Sequence, residues 1–172
     1  YIAFAMSVGG VSAILMIQPY KPQTLPFLGY AGSGVLLGLM MGSVDFFLQV
    51  GSFAESGLMG MWDQTYFDVL WQSSVGTSYK LRLAGWSTLL LLLVVLRFNS
   101  AVAKPISYLY LAVSLVIAAS FTWVGHTAEK TVWVRVALTL HIFIAMWWVG
   151  TLYPLRQWCQ TFPANTLQYL MH

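Results

Sequence analysis

Charge is what this sequence has least of: five acidic and eight basic residues make up 8% of its 172 positions. Soluble domains carry about a quarter charged residues, because water must be satisfied over their whole surface. A water-facing globule is therefore excluded. The net charge of +3 is small and scattered, which excludes the basic stripe of a nucleic-acid partner. Cysteine is reduced to Cys159, so neither an intrachain disulfide nor a multi-cysteine metal cluster is possible within this sequence. No serine–histidine–acid or cysteine–histidine arrangement is legible, and no glycine-rich loop follows a strand. An enzyme is not expected. A cleavable signal with a basic start and a small-residue exit is lacking as well. The first residue is Tyr1, already inside an apolar run, so the chain reads as part of a longer protein whose first residues are missing.

What is present is apolar. The chain is 59% hydrophobic, with a mean hydropathy of +0.73. Eight Trp and nine Tyr suit a protein with two membrane–water interfaces, where amphipathic rings settle. The apolar runs predict an all-α, polytopic membrane helix bundle of about five transmembrane helices, forming one domain over 1–172. The helices fall at about Tyr1–Ile17, Phe27–Phe53, Lys80–Phe98, Ile106–Gly125 and Thr131–Tyr153. Gln18–Pro26 and Asn99–Lys104 are turns marked by proline or by polar residues.

In the second helix Gly34, Gly38 and Gly42 recur every four residues, making a groove into which another backbone fits. The same face turns polar through Asp45, Gln49 and Ser52. A carboxylate inside a membrane helix costs a few kcal/mol or more, and it faces a partner or a wet cavity. Arg82 and Arg135 are the candidate partners, so Asp45 with Arg135 or Arg82 forms either a structural ion pair or part of an ion path. The connection 54–79 carries Met59, Trp62, Tyr66 and Leu70 at helical spacing, which predicts an amphipathic interfacial helix between the second and third spans. Met59 and Met61 offer two thioethers, soft ligands for Cu(I), or simply dip into lipid.

Basic residues are tied between the two sets of connections. Lys21, Arg97, Lys104 and Arg156 mark one side; Lys80, Arg82, Lys130 and Arg135 mark the other, which also holds the acidic residues Glu55, Asp63, Asp68 and Glu129. The orientation rule counts basic residues. Those of the second side stand mostly at helix starts, which tilts the first side towards the cytoplasm.

His126 ends the fourth span, and His141 lies about 15 Å of helix rise into the fifth. An imidazole at that depth is hydrogen-bonded, or it binds a metal or haem. The sequence VGHTAE, followed by LHIFIAMWWVGTLYPL, resembles the copper resistance protein D (CopD) family. Its members pair a Gly-His at one helix end with the pattern LHxxxAxxWxGGLxP. Gly125-His126 matches the first element, and Leu140, His141, Ala145, Trp148, Gly150, Leu152 and Pro154 match the second. Upstream, VLWQSSVGTSYKLRLA is similar to the family's approach to its third helix. Thr151 replaces the second glycine, and Leu138 stands where relatives often have another histidine.

The resemblance implies the N-terminal part of a bacterial inner-membrane protein of about eight helices. Such a protein handles copper as a permease, importer or resistance factor, beside a small periplasmic copper carrier. The copper ion would be met by His126 and His141, with Met59 and Met61 as further candidates. The remaining helices of the same chain and the lipid bilayer would be its other partners. The alternative is a b-type haem-binding electron-transfer subunit, against which the unequal depths of the two histidines speak.

Overall fold

The computed structural model describes residues 1–17, 25–99, 102–124 and 129–161. Its helices are α1 (Ile2–Ile17), α2 (Leu25–Phe53), α3 (Gln64–Gln72), α4 (Ser74–Phe98), α5 (Ala103–Ser120) and α6 (Val132–Thr161), with a 3-10 turn at Met59–Trp62. Among the described residues the chain is all-helical. Four helices, α2, α4, α5 and α6, are long and apolar enough to cross a membrane. This is a multi-pass membrane protein. The predicted proline turn after the first helix falls largely on residues outside the described ones.

The fifth apolar segment, α1, is short but lies deepest. It packs against α2 and α6 and also touches α5, while α4 closes the bundle between α2 and α5. A helix apolar on every side is a buried one, and Phe4, Val8, Val11 and Ile14 of α1 are all buried. They meet Ala31 and Val35 of α2, Trp86 and Leu89 of α4, and Tyr110 and Ile117 of α5 in one core. In lipid, close van der Waals contact holds helices together more than exclusion of water does, and small residues provide the closeness here. A Cβ on Gly150 of α6 would collide with the Ala5 carbonyl of α1, and one on Gly9 with the backbone of Gly150. Gly10, one residue on, faces Ala31 of α2. The Gly9-Gly10 pair thus brings α1 close to α6 on one side and to α2 on the other.

Polar side chains tie the same helices. Ser7 and Tyr110 share a buried hydrogen bond of 2.5 Å between α1 and α5. Ser78 Oγ donates to the Ser120 carbonyl at 2.8 Å between α4 and α5. The alternative in hydrocarbon is an unsatisfied hydroxyl, which is why such bonds specify pairing.

The stripe on α2 has three different outcomes. Gly34 lies against α1, where an added Cβ would come within 2.6 Å of the Ala3 carbonyl oxygen. Gly38 lies against the Trp86 ring of α4, at 2.5 Å by the same measure. Gly42 meets nothing within 4 Å.

The connection after α2 differs from the single interfacial helix expected over 54–79. Asp63 breaks it, because its carboxylate accepts from the Thr65 and Tyr66 amides at 2.9 and 3.2 Å and starts α3 afresh. Met59, Trp62 and Tyr66 are exposed, whereas Leu70 is buried with Phe46 and Val50. Ser73 then caps α4 through the Val75 amide, so α4 begins at Ser74 rather than at Lys80. At the other end, α6 runs through Pro154 instead of stopping before it. Proline deprives the carbonyl four residues earlier of its ladder bond. That carbonyl belongs to Gly150, the residue against which α1 packs.

Candidate functional site

Asp45 and Arg82 are opposite charges that the fold brings to one cavity at the edge of the bundle, Arg82 half-buried and Asp45 exposed on the outer side of α2. Each lies eight residues from its helix end, Phe53 of α2 and Ser74 of α4, or about 12 Å of rise. Antiparallel neighbours therefore hold them at matching depth. Both line a small cavity of about 30 Å³ with Gln49, Ser78, Tyr79 and Val124, the volume of roughly one water molecule. The Asp45 carboxylate accepts from Gln49 Nε2 at 2.9 Å, a bond within α2. Arg82 Nε donates to Ser120 Oγ at 3.1 Å, and the guanidinium stands 4.1 Å from the centre of the Phe121 ring. Tyr79, also on the cavity wall, stacks on Phe46 at 4.4 Å and shares a hydrogen bond with Ser43. The cavity is thus a polar enclave framed by aromatic rings, with opposite charges on its wall.

Arg135, the other expected partner of Asp45, goes elsewhere. It lines an open groove between α5 and α6 with Val116, Thr122 and Thr139, because its position in the first turn of α6 faces α5. The pairing open to Asp45 in this structure is with Arg82.

His141 stands on the outward face of α6 and is exposed. It is separated from Gly150 by nine residues, about two and a half helical turns, so the imidazole is opposite the face that packs on α1. Trp148, on a stripe with Ala145 at spacings of seven and four residues from His141, is 64% exposed on the same side. The small and kinked members of the motif, Gly150 and Pro154, are buried instead. Thr151, in place of glycine, turns its hydroxyl back to the Trp148 carbonyl at 2.8 Å. The motif therefore divides between packing and an uncovered face.

His126 lies outside the described residues. Met59 is 86% exposed, whereas Met61 is half-buried against Gly51 of α2, so the 3-10 turn does not gather the two thioethers into one enclosed site. Among the described residues no group of three or more His, Cys, Asp or Glu side chains is placed to hold a metal ion.

The residues that sequence reasoning missed are Ser78 and Tyr79 on the cavity wall and Ser120, which holds Arg82 from α5. Hydroxyls scattered in apolar helices gave no periodic signal; only the α4–α5 contact makes them neighbours. Comparisons with protein-family models, with curated proteins and with solved structures find no match.

Proposed function

We propose that this chain is the membrane part of a copper-handling protein of the bacterial inner membrane, acting as a permease, importer or resistance factor. The observation that carries the reading is the outward placement of His141 on α6. A histidine kept only for packing would face α1, where Gly150, Pro154 and Phe143 lie. An imidazole at this depth on an uncovered face needs something to bind it, and copper accepts imidazole and thioether ligands. His141 would then be one ligand on a path completed by elements beyond the described residues, with His126 as a further ligand. Binding along such a path must favour entry yet release the ion.

The test is metal content, copper uptake and a visible spectrum of the purified protein. His141→Ala should lower bound copper and uptake most, His126→Ala should weaken capture with less effect, and the wild type should show no haem band. A stoichiometric haem spectrum would instead establish the cytochrome alternative. Unchanged copper handling by the double variant would overturn the assignment of both histidines.

A further inference from the structure

The groove between α5 and α6 is built differently from the cavity at Asp45. It is an open groove of about 510 Å³ walled by Leu115, Val116, Ala119, Val136 and Leu140, a size at which pockets hold elongated apolar ligands. One guanidinium interrupts this wall. Arg135 lies three residues from the start of α6, about 5 Å of rise from the helix end. Its Nε is buried without a hydrogen-bond partner among the described residues. Trp123, a ring of the kind that settles at headgroup level, lines the same end of the groove and is partly exposed. Glu129 and Lys130, in the turn before α6, are exposed and do not line it. A second groove, of about 350 Å³ between α2 and α4, also carries an arginine, but there Arg97 is exposed.

We propose that the α5–α6 groove binds one anionic phospholipid, with an acyl chain along the apolar wall and the phosphate on Arg135. The charge and the apolar length lie in the order a lipid presents them, headgroup at the helix end and chain towards the bilayer centre. A guanidinium pairs with a phosphate through charge-assisted hydrogen bonds, whichever leaflet supplies the lipid. A phosphate oxygen facing Nε would also satisfy the donor that the bundle leaves unused.

The experiment uses the purified full chain in a neutral detergent, followed by tryptophan-fluorescence melting during titration with phosphatidylglycerol or phosphatidylcholine of identical chains. Phosphatidylglycerol should stabilise at lower concentration. Arg135→Gln should weaken that response about fivefold, the factor matching ~1 kcal/mol for one basic residue at an anionic lipid surface. Lys80→Gln removes the same charge from the same membrane side, where Lys80 Nζ already bonds the Trp71 carbonyl at 3.1 Å; it should leave the preference intact. Leu115→Trp, which fills the groove and keeps Arg135, should abolish the preference and provides a second reading if Arg135→Gln does not fold. Equal response to both lipids in the wild type, an unchanged preference in Arg135→Gln or Leu115→Trp, or full stabilisation by inorganic phosphate alone would overturn the proposal.

Discussion

Two opposite charges on the wall of a cavity the size of one water molecule create a local dependence. Asp45 has its hydrogen bond from Gln49, and Arg82 has its own to Ser120, so neither side chain is held by the other alone. Removing Asp45 leaves the half-buried Arg82 without the opposite charge on its cavity wall, and removing Arg82 leaves Asp45 within a membrane-spanning helix without a cation. Asp45→Asn and Arg82→Gln should each destabilise the bundle by about 1–3 kcal/mol, the range for an uncompensated polar group. The double variant should cost less than the sum, because the second change removes what the first exposed. Unfolding in denaturing detergent, read by helical circular dichroism, measures all three. Strict additivity would mean that the two groups do not interact. Sequence alone identified Asp45 as a residue needing a partner but left Arg82 and Arg135 level. With the third span expected to start at Lys80, both arginines read as standing near the starts of their helices; the earlier start of α4 at Ser74 and its contact with α2 separate them.

At the scale of the helix, packing rests on how closely backbones approach. Gly150 and Gly9 mark the α1–α6 contact, and any side chain there meets backbone atoms that cannot rotate away. Gly150→Leu or Gly9→Leu should therefore separate α1 from α6 and lower the melting temperature sharply. Gly42→Ala should be tolerated, since nothing lies within 4 Å of the added carbon. It could gain up to about 1 kcal/mol from helix propensity. Gly38→Leu falls between them, because the neighbour is the ring of Trp86 and not a backbone. Parallel melting curves of the four variants test this order, and equal loss at Gly42 and Gly150 would contradict it. The i, i+4 stripe of Gly34, Gly38 and Gly42 was visible in the sequence, as were the apolar runs that became helices. The tighter contact was not. A single glycine in α6 opposite Gly9 repeats at no period, and its partner is remote in sequence. The broken connection was hidden for a related reason: the spacing from Met59 to Leu70 fits a helix, but the Asp63 cap and its local hydrogen bonds override it.

For the molecule as a whole, orientation turns on which basic residues are available to a membrane surface. Counted from sequence, the two ends tie. The fold changes their weights at the end carrying α3. Arg82 is drawn about 12 Å inside its helix to the cavity with Asp45, and Arg135 lines the α5–α6 groove. Lys80 bonds the Trp71 carbonyl and stands 5.0 Å from its ring centre, while Lys130 adjoins Glu129 in a turn. At the opposite end Arg97, Lys104 and Arg156 are exposed and have no acidic neighbour in sequence. The positive-inside rule then favours that end for the cytoplasm. The last turns of α6 give a direct probe. A helix of 30 residues is about 45 Å long, against a hydrocarbon core of about 30 Å, so its polar end around Arg156 extends beyond the core. Cys159, exposed and the sole cysteine of the sequence, lies in this stretch. In intact cells it should be protected from a membrane-impermeant thiol reagent and become reactive once the membrane is opened. Ready labelling before the membrane is opened would reverse the orientation, placing the Asp45–Arg82 cavity near the cytoplasm and making the proposed copper path run the other way.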